Sequence, residues 1–307
     1  MNKKPKVSYD RESDILYISK KGIEEEFVEM VPGVNLELNK NGEVIGIEIL
    51  ESSRLLKDVL APLKERAKHR IDRHTETAVI EHVIGDKTFK QVLTVPRLRP
   101  FKRVFQFRLI LLGTDPPVWR RLLIPESFTF YDFHVAIQDA MNWKDYHLHH
   151  FEIPAGSSRS GKVHIECPWF EPFEMEEDWL ITTETKLSDY FRESEDRALY
   201  RYDYGDGWQL DVELEDIAPR RRNDQYPACL DGALAGPPED CGGIDGYYEC
   251  VETARRARNL SPQKLDRLDS ENQDFIIWLG GWDPDAFDPG KIKFESPRRR
   301  FQKALEP

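Results

Sequence analysis

The sequence has few cysteines and no long apolar run, and these two absences exclude whole classes of protein. Four cysteines occur among 307 residues, too few and too unevenly spaced for the disulfide framework of a small secreted domain. No run of about 18 apolar residues is present, as a membrane-spanning helix needs, and residues 1–5 lead into a polar strand pattern without an apolar signal core. We therefore expect reduced thiols, no membrane partner and a cytoplasmic location.

The short motifs that identify common enzyme classes are also missing. The sequence contains no phosphate-binding glycine loop, no nucleophile elbow, no His-Glu-x-x-His helix and no dinucleotide fingerprint. An enzymatic function would therefore depend on histidine and acidic motifs alone. We favour a protein that is not an enzyme and predict no resident cofactor, with zinc or another divalent metal as the alternative.

Charge is unevenly distributed along the chain, and this bears on nucleic-acid binding. The formal net charge is −12, and residues 104–307 carry 24 basic and 39 acidic side chains. A broadly acidic surface repels a phosphate backbone outside any local basic patch. Two basic clusters stand beside prolines in expected loops, and nucleic-acid binding through them is an alternative function. The clusters are Arg97, Arg99, Lys102 and Arg103, and Arg298, Arg299 and Arg300.

The first part of the chain predicts a small sheet followed by a helix. Short apolar-alternating runs between polar turns predict a β-meander, with Asn41-Gly42 as a hairpin turn. After Glu51 the apolar spacing becomes helical, and Ser52 or Ser53 is the expected N-cap. This pattern predicts a domain at residues 1–65. Its predicted strands are residues 7–9, 15–18, 27–31, 34–38 and 44–49.

The rest of the chain predicts a linker and a larger domain. Residues 66–103 are charged and turn-rich, with one hairpin expected around Gly85-Asp86. From residue 104, two strands, a helix and a returning strand predict a β-grasp-like core within a domain at residues 104–307. We assign both domains to the α+β class. The expected core elements are strands 104–112 and 118–124, a helix from Thr129 to near Trp143, and strands 148–153, 199–203 and 208–215.

Residues 6–60 resemble a bacterial family known as domain of unknown function 2283. The resemblance rests on Pro32-Gly33-Val34 and on the runs at residues 9–18 and 42–50. It implies no established activity. Small domains of this kind often self-associate or bind partners, so we expect the N-terminal domain to associate with a protein partner or with a second copy.

Residues 104–295 resemble the plasmid pRiA4b ORF-3-like family through several motifs in the family's order. The resemblance implies an α+β fold and a plasmid or mobile-element setting, with no agreed biochemical role. The most specific motif is Pro237-Pro238-Glu239-Asp240-Cys241-Gly242-Gly243. The others are Pro116-Pro117-Val118-Trp119-Arg120-Arg121, His147-Leu148-His149-His150-Phe151, Tyr202-Asp203-Tyr204-Gly205-Asp206-Gly207-Trp208 and Tyr226-Pro227-Ala228-Cys229.

Two positions depart from this family's pattern and bear on a zinc site. The family commonly has a histidine two residues after the tryptophan of its Gly-Asp-x-Trp motif and a cysteine before Pro-Pro-Glu-Asp, where this chain has Leu210 and Gly236. If those family residues bind zinc with the positions of Cys229 and Cys241, this chain lacks half of a tetrahedral site. We expect both cysteines to be buried small hydrophobes, with metal binding as the alternative.

Three histidines offer a second candidate for a metal or acid-base site. On a strand, alternation places His147 and His149 on one face and His150 on the other. A carboxylate from another strand, Asp203 or Asp206, would have to complete such a site. The competing interpretation is that all three are core or surface histidines.

The adjacent arginines of Trp119-Arg120-Arg121 lie on a predicted strand. Alternation directs Arg120 and Arg121 to opposite faces, so they cannot share one basic patch. We expect one of them to pair with an acidic loop.

Together these features predict a non-catalytic binding or regulatory protein. The larger domain would present a cleft walled by residues 147–151, 203–208 and 237–243, because recognition residues concentrate on turns and strand ends. The rival function is a metal-dependent hydrolase or nuclease that uses the same histidines and carboxylates. The candidate ligand-binding residues are His147, His149, Asp203, Asp206, Trp208, Glu239 and Asp240.

Overall fold

The computed structural model shows two compact units, residues 1–68 and 69–307. Three sequence predictions lie outside the described residues: the Asn41-Gly42 turn, the helix after Glu51 and the Gly85-Asp86 turn. The described residues are 6–10, 15–19, 26–31, 34–40, 44–50, 68–72, 77–84, 87–154, 161–169, 179–258, 260–261 and 269–305.

The first unit contains a five-stranded antiparallel sheet, and all five predicted strands are confirmed. The sheet order is β1-β2-β5-β4-β3, so β5 returns to lie between β2 and β4 instead of at an edge. Ile47 of β5 lies opposite Ile18 on one side and Leu36 on the other, which gives this strand apolar partners on both neighbours. The strands are β1 Lys6–Asp10, β2 Ile15–Ser19, β3 Glu26–Val31, β4 Val34–Leu38 and β5 Val44–Ile49.

The second part of the chain forms a three-stranded sheet and an eight-stranded sheet. The predicted hairpin is confirmed as β7 and β8 of the smaller sheet, which has the order β6-β7-β8. The larger sheet has the order β13-β12-β11-β14-β15-β9-β10-β16. The strands are β6 Lys68–Asp72, β7 Thr77–Ile84, β8 Lys87–Thr94, β9 Arg103–Leu111, β10 Trp119–Pro125, β11 His149–Pro154, β12 Lys162–Glu166, β13 Leu180–Ile181, β14 Arg197–Tyr202, β15 Trp208–Pro219 and β16 Ala228–Ala233.

Four helices accompany the sheets within the described residues. The first, α1, packs on the larger sheet, and its predicted apolar face is confirmed because Phe130, Phe133, Ile137 and Met141 are all buried. The ring of Phe133 stacks on Phe107 of β9 with centroids 4.6 Å apart. The helices are α1 Phe130–Met141, α2 Gly243–Ala257, α3 Ser270–Leu279 and α4 Pro297–Leu305. None of the described helices is long and apolar enough to cross a membrane.

The α+β class and the strand, strand, helix, strand order of the core are confirmed. In the sheet, β14 and β15 lie between β9 and the returning strand β11. Strand β15 pairs with β9 from Leu210 to Pro219 and with β14 from Trp208 to Glu213. This long strand therefore occupies the centre, and the turn before it, at residues 203–207, lies at the sheet end where β11 begins.

The N-terminus of α1 is fixed by a buried capping box. Thr129 accepts from the Asp132 backbone amide at 3.2 Å, and Asp132 accepts from the Thr129 amide at 2.9 Å. Both residues are buried, and burial raises the pKa of Asp132 to about 6. An ionised carboxylate at this position therefore destabilises the folded state relative to the protonated acid.

This capping box predicts a pH-dependent stability difference. The unfolded aspartate titrates near pH 4, so only the folded protein takes up a proton at Asp132 as the pH falls from 7 to 5. The contribution of Asp132 to the free energy of unfolding therefore rises as the pH falls, by at most about 1.4 kcal/mol per pH unit. Asp132→Asn keeps an acceptor but cannot titrate. Urea unfolding at pH 7 and pH 5 should show the wild type gaining stability relative to Asp132→Asn, and parallel changes in both proteins would contradict this.

Candidate functional site

Three chain segments meet at one end of the larger sheet, around the imidazole of His147. The His147 Nε2 atom lies 2.8 Å from Asp240 Oδ1, 3.4 Å from Asp203 Oδ2 and 4.0 Å from Glu239 Oε1. These segments are the three that the sequence assigns to the walls of a cleft. We call His147, Asp203, Glu239 and Asp240 the histidine-carboxylate cluster.

Asp203 is positioned by the turn that follows β14. Its backbone is left-handed, with φ of 52°, and its Oδ1 accepts from the backbone amides of Gly205 at 3.0 Å and Asp206 at 3.3 Å. Aspartate favours such turns because its short carboxylate bonds to amides two and three residues ahead. The turn therefore occupies Oδ1 and leaves Oδ2 directed at His147.

Asp206 joins this turn to the loop that carries Glu239 and Asp240. Both of its carboxylate oxygens accept from the Gly242 amide at 3.2 Å. The next residue, Gly243, has φ of 69°, and a Cβ there would lie 2.6 Å from the Asp206 carbonyl oxygen. The glycine permits both the left-handed backbone and this close approach. Asp206 is therefore a positioning residue of the cluster.

Glu239 is held by two donors on its inner side. Its Oε1 accepts from the Tyr202 hydroxyl, and its Oε2 accepts from the Lys144 backbone amide at 2.7 Å. The Tyr202 ring stacks on Trp143 with centroids 5.0 Å apart. Trp208, a sequence candidate for ligand binding, is 2% exposed and lies in the core beneath them, so its indole supports the site from below.

The cluster is closed on the protein side and open at Asp240. The Asp240 side chain is 53% exposed, whereas His147 is 12% exposed and Asp203 is 5% exposed. Burial raises the pKa of Asp203 above its ordinary range, and the neighbouring His147 opposes that shift. The arrangement can place one imidazole nitrogen and two carboxylate oxygens around a ligand that enters past Asp240, since these atoms lie within 4.8 Å of one another.

His149, predicted to share a face with His147, lies in a separate group. Its ring stacks on His134 with centroids 3.4 Å apart and planes at 8°. Neither ring nitrogen has a hydrogen-bond partner among the residues the structure describes. Burial holds the pKa of His149 well below its ordinary value. His149 is therefore a neutral core side chain, and parallel stacked rings do not direct their lone pairs at one ion.

The partner of His149 in this stack is fully bonded. His134 Nδ1 lies 2.8 Å from the Tyr200 hydroxyl, and its Nε2 lies 2.7 Å from Asp145 Oδ1. Gln138 donates to the same hydroxyl at 3.0 Å and accepts from the Asp145 amide at 2.9 Å. Nε2–H donates to the Asp145 carboxylate, and Nδ1 shares a hydrogen bond with the Tyr200 hydroxyl. This closed ring of bonds orients the residues 142–146 that precede the cluster.

A second histidine and carboxylate group, which the sequence analysis missed, lies on the opposite face of the sheet. His150 of β11 is opposite Glu166 of β12, and His164 Nε2 lies 2.9 Å from Glu166 Oε2. The His150 and His164 rings stack with centroids 4.4 Å apart. The run His164-Ile165-Glu166 could have indicated this group, because alternation along a strand places His164 and Glu166 on the same face.

The cysteines do not complete a metal site in the described part of the chain. The expected burial of Cys229 and Cys241 is wrong, because both are only half-buried. Cys241 packs against the buried Cys250 of α2, and no cysteine belongs to any of the three groups with metal-ligand spacing. The departures from the family pattern have structural roles. Leu210 is fully buried in the core, and a Cβ on Gly236 would lie 2.1 Å from the Met141 carbonyl oxygen, so the cysteine of the family pattern would clash there.

The two basic clusters are partly committed to carboxylates. Arg103 pairs with Glu126 at 2.7 Å. The prediction of a loop at residues 298–300 is wrong, because α4 begins at Pro297 and these arginines lie in its first turn. Arg300 pairs with Asp139 at 2.6 Å and with Glu295 at 2.7 Å. In the basic cluster at residues 298–300, Arg300 is therefore already paired with carboxylates and is less able to bind a phosphate backbone.

Comparisons with known proteins match both units. Residues 103–291 match the family model described as plasmid pRiA4b ORF-3-like protein, and residues 6–53 match the model described as protein of unknown function DUF2283. Both predicted resemblances are confirmed, in the predicted order.

Two similar proteins are described as uncharacterised or of unknown function. A protein of Sinorhizobium fredii (strain NBRC 101917 / NGR234), described as uncharacterized protein y4hQ, is 27% identical over 177 residues, which cover 56% of this chain and 84% of that protein. The crystal structure of MM3350 from Methanosarcina mazei Go1, described as a protein of unknown function, is 37% identical, with a TM-score of 0.52 and coverage of 64% of this chain and 100% of that chain.

The stacked histidines provide a matched pair of variants. Replacing His149 with phenylalanine keeps a ring on His134 and removes two unbonded buried nitrogens, so His149→Phe should lie within about 1 kcal/mol of the wild type or be more stable. His134→Phe leaves Tyr200 and Asp145 without their buried partner and should lower the free energy of unfolding by about 3 kcal/mol. Urea unfolding measures both values. Equal losses in the two variants would show that His149 has a polar partner in solution.

Proposed function

The chain belongs to the plasmid pRiA4b ORF-3-like family, and from that premise we propose that its larger unit is a non-catalytic binding module that holds a divalent cation in the histidine-carboxylate cluster and recognises a ligand through it. The observation that carries this proposal is the convergence of His147, Asp203 and Asp240 from three separate segments, with donor atoms within 4.8 Å of one another.

The chemistry of the donors fits a cation of the first transition series. One neutral imidazole nitrogen with two carboxylate oxygens is a donor set used for zinc, manganese and iron. Three protein donors leave coordination positions for water or for oxygen atoms of a ligand. The exposure of Asp240, at 53%, gives such a ligand access from solvent.

The surrounding hydrogen bonds support binding because they orient the carboxylates in advance. Asp203 is fixed through its Oδ1 by the amides of its own turn, and Glu239 is fixed by Tyr202 and Lys144. Partners of this kind raise metal affinity because the ligands lose little freedom on binding.

The same bonds favour binding over hydrolysis. A metal-dependent hydrolase needs a base free to take a proton from the attacking water. Glu239, the group next to the three donors, already accepts one hydrogen bond at each oxygen. We therefore rank hydrolysis second, on the same residues.

The association role expected of the N-terminal unit stays a prediction. Strands β1 and β3 are the outer strands of its described sheet, which is the position from which a sheet can pair with another chain.

Metal titration tests the cation site. Untagged full-length protein, stripped of metal and titrated calorimetrically with Mn²⁺ and with Zn²⁺, should bind one equivalent at a site that Asp240→Asn weakens at least tenfold. Asp240 is exposed, so this variant should keep the fold. His147→Gln should abolish binding at the site, whereas His164→Gln, in the second histidine group, is the matched control and should leave it unchanged. No saturable binding, or equal binding by the wild type and His147→Gln, would contradict the proposal.

A turnover assay separates binding from hydrolysis. The metal-loaded wild type should hydrolyse p-nitrophenyl phosphate and bis(p-nitrophenyl) phosphate no faster than metal-loaded His164→Gln or protein-free metal. Metal-dependent turnover that disappears in His147→Gln would replace the binding module with a hydrolase at the same site.

A further inference from the structure

The two adjacent arginines of β10 have different surroundings. As alternation predicts, they face opposite sides of the sheet. Arg121 pairs with Glu215 at 2.6 Å and lies 3.7 Å from Asp231. Arg120 is only 2% exposed and has no carboxylate within ion-pair distance among the described residues. Burying an unpaired charge is costly, so the surroundings of Arg120 require an explanation.

The hydrogen bonds of Arg120 leave one nitrogen uncommitted. Its Nε donates to the Ala140 carbonyl at 2.8 Å, and its Nη1 donates to the carbonyls of Trp119 at 2.8 Å and Ala233 at 3.0 Å. A guanidinium has five N–H groups, so the two on Nη2 have no acceptor in the described part of the protein. The guanidinium also lies over the Phe287 ring, 4.3 Å from its centroid. Geometry therefore holds the group rigidly with Nη2 available.

Arg120 keeps its positive charge at neutral pH. Burial lowers the pKa of Arg120 to about 10, whereas the neighbouring Cys229 thiol and Tyr247 phenol tend to raise it. Burial also raises the pKa of both neighbours, so neither supplies a negative charge at pH 7. The guanidinium is a buried cation without a protein anion.

Arg120 lies in the wall of a cavity of about 990 Å³. This volume lies at the upper end of the range for small-molecule sites. Six cationic and four acidic side chains line it, in a chain whose net charge is −12. The cations are Arg120, Lys144, Lys291, Lys293, Arg300 and Lys303, and the acids are Asp139, Asp145, Asp288 and Glu295.

Every lining carboxylate has a cationic partner within the same wall. Arg300 lies within ion-pair distance of Asp139, Asp145 and Glu295, and Lys291 lies 3.8 Å from Asp288.

Three cations of the wall remain without a carboxylate. They are Arg120, Lys144 and Lys293, and both lysines are exposed. The cavity therefore has an excess of positive charge centred on a rigid, buried guanidinium.

Aromatic side chains form a second part of the lining. Trp143, Tyr146, Trp282 and Phe287 all contribute to the lining. The Trp282 indole is fixed because its Nε1 donates to the Gly236 carbonyl at 3.0 Å. Aromatic side chains are common in pockets that bind small organic molecules, and in this cavity they adjoin the charged part of the wall.

From these features we infer that the cavity is a binding site for a small aromatic anion, whose phosphate or carboxylate group accepts hydrogen bonds from Arg120 Nη2 and is attracted by Lys144 and Lys293. The ring of the ligand would lie against the aromatic wall at Trp282. This site is separate from the histidine-carboxylate cluster and does not depend on a bound cation.

Calorimetric titration with three probes tests the site on the metal-stripped full-length protein at constant ionic strength. Phenyl phosphate or benzoate should bind saturably at one site, and phenol, which lacks the anionic group, should bind at least tenfold more weakly. The tighter of the two anions identifies whether the site prefers phosphate or carboxylate. Saturable binding of neither anion, or binding of phenol as tight as that of both anions, would overturn the inference.

Variants locate the site. Arg120→Gln should abolish binding of the anion, and the double variant Lys144→Gln, Lys293→Gln should weaken it about tenfold. Lys186→Gln removes an exposed lysine outside the cavity and should leave binding unchanged. Since Arg120 bonds three carbonyls, its variant is first compared with the wild type by near-UV circular dichroism. If Arg120→Gln does not fold, the double lysine variant decides, and unchanged affinity there would overturn the inference.

One further variant separates this site from the proposed cation site. Asp240→Asn should leave anion affinity unchanged while weakening metal binding. Loss of anion binding in Asp240→Asn would contradict a site in the cavity.

Discussion

The contact between two backbone turns brings the two acidic loop residues of the histidine-carboxylate cluster to His147. Residues 234–242 belong to no helix or strand, so their path is set by what they touch. The Asp206 carboxylate accepts from the Gly242 amide at 3.2 Å, and Gly243, without a Cβ, lies against the Asp206 carbonyl oxygen. This contact brings Glu239 and Asp240 beside His147 and also starts α2. The path of this loop therefore depends on a polar side chain and on a glycine.

The same loop separates two regions of opposite charge. On one side, Glu239 and Asp240 contribute carboxylates to the cluster. On the other, residues 235 and 236 line the cavity that contains Arg120, where Trp282 donates to the Gly236 carbonyl. The loop approaches Met141 so closely that only glycine fits at position 236. A ligand in one site and a cation in the other would therefore contact the two faces of one chain segment.

The sequence predicts the strands and α1 well because their signals are local. Alternation identifies β9, β10 and β15, and Thr129 with Asp132 marks the start of α1. The sequence does not predict that β14 and β15 lie between β9 and β11 in the sheet, because strand order depends on pairing between distant segments. For the site, turn chemistry indicates Asp203, Asp206, Glu239 and Asp240. The burial of His149 and Trp208, and the pairing of His150 with Glu166, depend on tertiary packing, which spacing along one strand does not encode.

A crystal structure of the full chain grown with Mn²⁺, with anomalous scattering used to locate the metal, would show whether the histidine-carboxylate cluster binds a cation. We expect one anomalous peak bonded to His147 Nε2 and to the carboxylates of Asp203 and Asp240. An anomalous map without a peak at these residues, from crystals in which the cluster is ordered and open to solvent, would contradict it.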